Sequence, residues 1–110
     1  MHEVGIMEEA VRLAAQAADG RRVRKLTLRV GVLSGVVPDA LRFAFDVVGK
    51  GTVVEGASLE IEAVQAACWC PTCRKEYECS DFLSECPRCR NLSGDLRRGR
   101  ELEIGTVELE

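Results

Sequence analysis

At 110 residues, 46% of them hydrophobic, the chain has room for one modest core or one domain with a small insertion. Aromatic residues are scarce at 5%, so that core is aliphatic, and no run of about 18 apolar residues is present to form a helical membrane span. The net charge of −3 is unevenly spread: segment 68–100 carries seven Lys/Arg against five Asp/Glu and would fall to about zero with four thiolates around a divalent ion, short of the positive footprint that nucleic-acid binding needs.

The N-terminus, Met1-His2-Glu3-Val4-Gly5, lacks a basic region followed by an apolar stretch, so no secretory signal is expected. Six cysteines without such a signal point to a reducing, cytoplasmic setting with metal-bound thiols rather than disulfides. Val4, Met7, Val11, Ala14, Ala15 and Ala18 recur at helical spacing, which predicts a helix over 4–18 stopped by Gly20. From Val23 the period becomes two. Leu26, Leu28, Val30 and Val32 point one way and Lys25, Thr27, Arg29 and Gly31 the other, predicting a strand over 24–33.

Pro38 suits the first position of a helix, where its missing N–H is not needed. Leu41, Phe45 and Val48, with Phe43, Ala44 and Val47, extend that helix to Val48, and Gly49-Lys50-Gly51 closes it. A second alternating run covers 59–64 and a third covers 102–109, with a phase slip at Gly105-Thr106 that predicts a bulge. The expected fold is α/β (α+β): two helices on a small three-stranded mixed sheet, with an inserted four-cysteine zinc module. The expected domains are 1–67 plus 99–110 for the α/β part and 68–98 for the zinc module.

That module carries Cys70-Pro71-Thr72-Cys73 and Cys86-Pro87-Arg88-Cys89, twelve residues apart. Each Cys-x-x-Cys turn lets two thiolates reach one ion, with backbone N–H groups aimed at the sulfurs. Pro71 and Pro87 fix φ after the first ligand of each pair. Four sulfurs suit Zn²⁺, and a closed set leaves no position for water, so the site is expected to be structural. A thioredoxin-type redox site would use a single such pair at a strand-to-helix junction. Cys68 could replace Cys70 as a ligand, although the symmetry of the two knuckles favours Cys70; Cys79 reads as a small buried apolar residue. Trp69 and Tyr77 cover the site, pack it on the domain or form an interaction surface.

The single histidine, His2, reads first as a solvated residue near a chain end. Its position also allows a chelate. A large second residue leaves Met1 in place, and the Met1 amine, the His2 amide and the His2 imidazole close fused rings on one ion. The Glu3 amide can supply a fourth nitrogen, and four nitrogens in a plane suit Ni²⁺ or Cu²⁺. Enzyme activity is not expected. One terminal histidine excludes a Ser/His/Asp set, no Walker-type loop is present, and four thiolates leave zinc no open position.

These residues match a known pattern. Met1-His2-Glu3 opens the chain, Leu28-Arg29-Val30-Gly31-Val32-Leu33-Ser34 forms the first strand and its exit, and Leu41-Arg42-Phe43-Ala44-Phe45-Asp46 lies in the second helix. Gly51-Thr52-Val53-Val54-Glu55-Gly56-Ala57 leads to the next strand, and Cys68-Trp69-Cys70-Pro71-Thr72-Cys73 opens the zinc module. The module then runs through Cys86-Pro87-Arg88-Cys89 to Gly99-Arg100-Glu101-Leu102-Glu103-Ile104. Over essentially its whole length the chain resembles the HypA/HybF family of hydrogenase-maturation nickel chaperones. The resemblance implies Ni(II) as cargo at His2, with the amino terminus and nearby backbone, and Zn(II) on Cys70, Cys73, Cys86 and Cys89.

The resemblance also implies delivery to the large subunit of nickel–iron hydrogenase alongside the GTPase HypB. Some members serve urease, which adds a urease accessory protein to the implied partners. Glu3 matches the third motif position, as an amide donor or a docking residue. Arg90 departs from the small residue that many relatives place after the last cysteine. Monomer and homodimer both stay open, and no nucleic-acid or membrane partner is expected. The alternative reading is a zinc-ribbon adaptor for protein or nucleic acid.

Overall fold

A computed structural model describes residues 3–110 of the chain. In chain order its elements are α1 (Glu3–Ala18), β1 (Val23–Gly31), α2 (Pro38–Val48), β2 (Ser58–Val64), β3 (Ala67–Cys70), β4 (Lys75–Glu78), β5 (Ser84–Glu85), β6 (Leu92–Ser93), β7 (Leu96–Arg98) and β8 (Leu102–Leu109). The described residues divide into two compact units, one of 3–29, 36–62 and 103–110, the other of 30–35 and 63–102.

In the first unit α1 packs against α2. Met7, Ala10, Val11, Ala14 and Ala18 form the buried stripe of α1, at the three- and four-residue spacing that keeps side chains on one face. Val4 shares that face one turn earlier but is 48% exposed, so the stripe begins after the first turn. α2 starts at Pro38, as expected, and buries Leu41, Ala44 and Phe45. Its end is closed by the Gly49 N–H donating to the Phe45 carbonyl at 2.9 Å. Val54, in the turns that follow, is fully buried, and its side chain lies 3.1 Å from where a Cβ on Gly49 would stand.

The three long strands form one sheet in the order β2-β1-β8. Its directions follow from the side-chain ladder. Lys25 pairs with Glu60, and Arg29 with Glu62, so numbers rise together and β1 and β2 are parallel. Arg24 pairs with Glu108, and Arg29 with Glu103, so numbers run oppositely and β1 and β8 are antiparallel. The parallel pair with α2 between its strands is a βαβ crossover, and the sheet is mixed, as expected.

Two local expectations change. β1 ends at Gly31 rather than at 33, and Val32 is exposed. The Gly99 backbone lies so close to Gly31 that a Cβ there would stand 2.1 Å from the Gly99 carbonyl oxygen. The Ser34 N–H then turns back onto the Gly31 carbonyl at 3.0 Å. The bulge expected at Gly105-Thr106 is not formed. The Glu110 N–H donates to the Arg22 carbonyl, and Arg24–Glu108 and Arg29–Glu103 keep the same register, so no residue is inserted. The phase slip instead places Leu102 and Ile104 on one face and Val107 and Leu109 on the other. Gly105 lies over Thr27, with room for a Cβ only 3.5 Å from the Thr27 carbonyl oxygen.

The second unit holds two small sheets, β4-β3-β7 and β5-β6. β3 and β4 are antiparallel, with Cys68 opposite Tyr77 and Cys70 opposite Lys75; β5 and β6 pair antiparallel through Ser84–Ser93 and Glu85–Leu92. Ala66, Cys68, Cys70, Tyr77, Cys79 and Cys86 form a buried cluster, with Leu33, Cys73, Cys89 and Leu96 packed against it.

Candidate metal centre

Each Cys-x-x-Cys segment caps the closed end of a hairpin: residues 71–74 join β3 to β4, and 86–91 join β5 to β6. The two turns are built alike. The Arg74 N–H donates to the Cys70 carbonyl at 2.8 Å, and the Arg90 N–H donates to the Cys86 carbonyl at 2.8 Å. Both arginines take left-handed backbone, with φ of 54° at Arg74 and 66° at Arg90. Arg90, the departure noted in the sequence, therefore occupies the position where glycine relieves strain, and it does so without altering the knuckle.

Contacts outside the cysteines hold the two hairpins face to face. The Tyr77 hydroxyl donates to the Ser84 carbonyl at 2.6 Å, and the Ser93 hydroxyl to the Trp69 carbonyl at 2.6 Å. The Asn91 amide donates to the Thr72 hydroxyl at 2.5 Å. As a result the sulfurs of Cys70, Cys73, Cys86 and Cys89 all lie within 4.8 Å of one another. Sγ of Cys70 is 3.4 Å from that of Cys89, and Sγ of Cys73 is 4.0 Å from that of Cys86.

A tetrahedral ion with metal–sulfur bonds of about 2.3 Å separates its sulfurs by about 3.8 Å. The observed spacings bracket that value, so the cluster fits zinc. An all-thiolate set leaves no coordination position over, the pattern of a structural site.

The surroundings act on two of the sulfurs in opposite directions. Backbone N–H groups of Cys89 and Arg88 pull the Cys86 thiol down to about 6 despite its burial. Cys89 goes the other way. The Asn91 N–H favours its thiolate, but burial and the sulfurs of Cys70, Cys73 and Cys86 outweigh that and push it up to about 12. Cys86 and Cys89 thus lean in opposite directions, and a divalent ion held between them would favour the thiolate at both. The Cys73 N–H points at Sγ of Cys70 at 3.4 Å. Arg88 is held charged by its hydrogen bond to Cys73, and this cation helps balance a four-thiolate centre.

Cys68 does not join the four. Its sulfur faces that of Cys79 at 3.0 Å, and both residues are buried. Burial, and then the contact with Cys68, raise the Cys79 thiol to about 11. Tyr77 is buried beside the sulfurs, whereas Trp69 is half-buried with the Arg97 guanidinium 4.8 Å above its ring. The expected nickel ligands Met1 and His2 lie outside the described residues. Glu3 opens α1, and its carboxylate accepts the Val37 N–H at 3.4 Å, at the start of α2. Among the described residues no helix is long and apolar enough to cross a membrane.

Comparison with known proteins gives one consistent result. Residues 1–109 match the family model described as "Hydrogenase/urease nickel incorporation, metallochaperone, hypA". The chain is 44% identical to the hydrogenase maturation factor HypA of Picosynechococcus sp., covering 99% of both chains. It is 41% identical to that of Geotalea uraniireducens, covering 100% of both. Its fold superposes on the solution structure of the Ni metallochaperone HypA from Helicobacter pylori with a TM-score of 0.69 at 18% identity, covering 99% of this chain and 97% of that one. Full-length identity at this level, with four cysteines gathered for one metal ion, establishes that the chain belongs to the HypA family of nickel-incorporation metallochaperones and hydrogenase maturation factors.

Proposed function

We propose that this protein binds Ni(II) at its N-terminus and delivers it during maturation of nickel–iron hydrogenase. His2 supplies its imidazole and amide nitrogens, with the Met1 amine and the Glu3 amide completing a planar set. The residues 1–67 and 99–110 carry this nickel function, and the segment 68–98 holds a structural zinc ion on Cys70, Cys73, Cys86 and Cys89. The observation that carries the reading is the family match, which runs from residue 1 over a chain whose single histidine stands second.

The proposed chemistry is ligand exchange. An exposed nitrogen site holds the nickel loosely, and softer cysteine thiolates of the hydrogenase large subunit take it over once the two proteins dock. The GTPase HypB is the expected co-worker, and urease maturation is a second destination open to the same cargo. The setting is the cytoplasm, where thiols stay reduced. The zinc site takes no part in transfer; its four thiolates leave no position for a second ligand, and its contribution is to fold the unit that carries it.

Metal titration followed by native mass spectrometry tests both sites. The wild type is expected to hold one nickel and one zinc. His2→Ala is expected to lose nickel affinity by at least about 100-fold, as a removed chelate ligand should, while keeping zinc. Cys89→Ser is expected to lose zinc instead. Unchanged nickel binding in His2→Ala overturns the N-terminal site, and unchanged zinc in Cys89→Ser overturns the ligand set.

A further inference from the structure

The second unit holds two cysteines that the four-sulfur centre does not use. The register places Ala67 opposite Glu78 and Cys68 opposite Tyr77, and the Cys79 N–H donates to the Ala66 carbonyl at 3.2 Å. Cys68 and Cys79 therefore stand diagonally across one antiparallel pair and on the same face. Their sulfurs are 3.0 Å apart, closer than either sulfur pair measured in the metal cluster. They also sit at the open end of the β3–β4 hairpin, whereas Cys70 and Cys73 of the four-sulfur cluster flank the closed end.

Joining them requires an S–S distance of about 2.05 Å, an approach of about 1 Å. Diagonal positions on antiparallel strands lie about 7–8 Å apart at Cα, just beyond the roughly 6.8 Å that a disulfide tolerates. The backbones must be drawn together, so the bond forms under strain. Strained disulfides are the more easily reduced ones, the labile class rather than the permanent class.

We propose that Cys68 and Cys79 form a reversible redox site, in which a peroxide oxidises the pair to a disulfide while the four ligand cysteines stay on their metal. One sulfur attacks a peroxide oxygen, water leaves, and a sulfenic acid remains. The second sulfur attacks that sulfenic sulfur and releases a second water. Two thiols and one hydrogen peroxide thus become one disulfide and two waters, and the two electrons pass from the sulfurs to the peroxide oxygens. Burial of both thiols sets a threshold: the pair reacts when the free end of the hairpin opens, and stays reduced under milder conditions. Once formed, the bond closes the hairpin at the end opposite the metal.

The test treats the zinc-loaded full chain with graded hydrogen peroxide, followed by native mass spectrometry and mapping of alkylated peptides. The expected result is loss of two hydrogens with zinc retained, a cross-link between the peptides carrying Cys68 and Cys79, and reversal by dithiothreitol. Cys79→Ala is expected to keep its zinc and to show no two-hydrogen loss at the same dose. The proposal fails if zinc leaves first and cross-links appear among Cys70, Cys73, Cys86 and Cys89. It also fails if the wild type goes to sulfinic acid at Cys68 or Cys79 without a disulfide.

Discussion

Arg74 and Arg90 carry the local cost of the metal centre. Each sits directly after the second cysteine of its knuckle with a positive φ, a region that costs a residue with a Cβ about 1–2 kcal/mol. The turn demands that backbone because the arginine N–H must reach the carbonyl four residues back. Glycine adopts it freely but loses more freedom on folding. Arg90→Gly is therefore expected to raise the stability of the metal-loaded protein by about 0.5–1 kcal/mol, measured by thermal unfolding. The exposed contact of Arg90 with Glu85, at 3.8 Å, is too weak to reverse that sign. Arg90→Val is expected to move stability the other way, since a branched side chain is the least tolerant of left-handed backbone. A drop in stability for Arg90→Gly would show that the guanidinium itself supports the centre.

Among the elements, β1 shows where sequence periodicity informs and where it stops. Its inward set Leu26, Leu28 and Val30 was legible because alternation with Lys25, Thr27 and Arg29 is strict, and α2 was legible from Pro38 at one end and glycines at the other. The point where β1 ends was not legible. Alternation continues through Val32, but the Gly99 backbone crosses against Gly31, and no local pattern encodes a contact between residues so far apart in sequence. Gly31→Ala would push a methyl group to within 2.1 Å of the Gly99 oxygen and 2.6 Å of the Arg100 nitrogen, both backbone atoms that cannot swing aside. It is expected to cost about 1–3 kcal/mol, in the range of other overpacked sites, read from denaturant unfolding. Gly105→Ala meets only the flexible Arg29 side chain at 3.3 Å and Thr27 beyond it, and is expected to cost less. The short strands β3 to β7 escaped the sequence reading because two to four residues carry too little period. The gathering of Cys70, Cys73, Cys86 and Cys89 was nevertheless legible from spacing alone, whereas the Cys68–Cys79 pairing needed the β3–β4 register.

At the scale of the whole molecule the two units draw on different sources of stability. The first buries aliphatic side chains from both helices, β1 and the turns after α2, including Met7, Leu26, Leu41 and Val54. Of hydrophobic side chains the second buries only Val30, Val64, Ala66, Ala67, Tyr77 and a group of cysteines, with no fully buried Leu, Ile, Met or Phe among its described residues. Stripping metal with a chelator under reducing conditions is therefore expected to remove protection from β3 to β7 in amide hydrogen exchange while the helical circular dichroism of α1 and α2 persists. Concerted loss of both signals would show that the aliphatic unit also depends on the ion.

Cys70 and Cys86, Cys73 and Cys89, and Arg74 and Arg90 are each sixteen residues apart, two copies of one design that each supply half of a coordination sphere. Neither half can hold the ion alone, so affinity for the metal and the docking of one hairpin on the other are a single thermodynamic quantity. Ser93, Asn91 and Tyr77 lie outside the four sulfurs, yet each ties one hairpin to the other and so would help set how tightly an ion is kept. The dissociation constant of the metal is thus a gauge of hairpin docking.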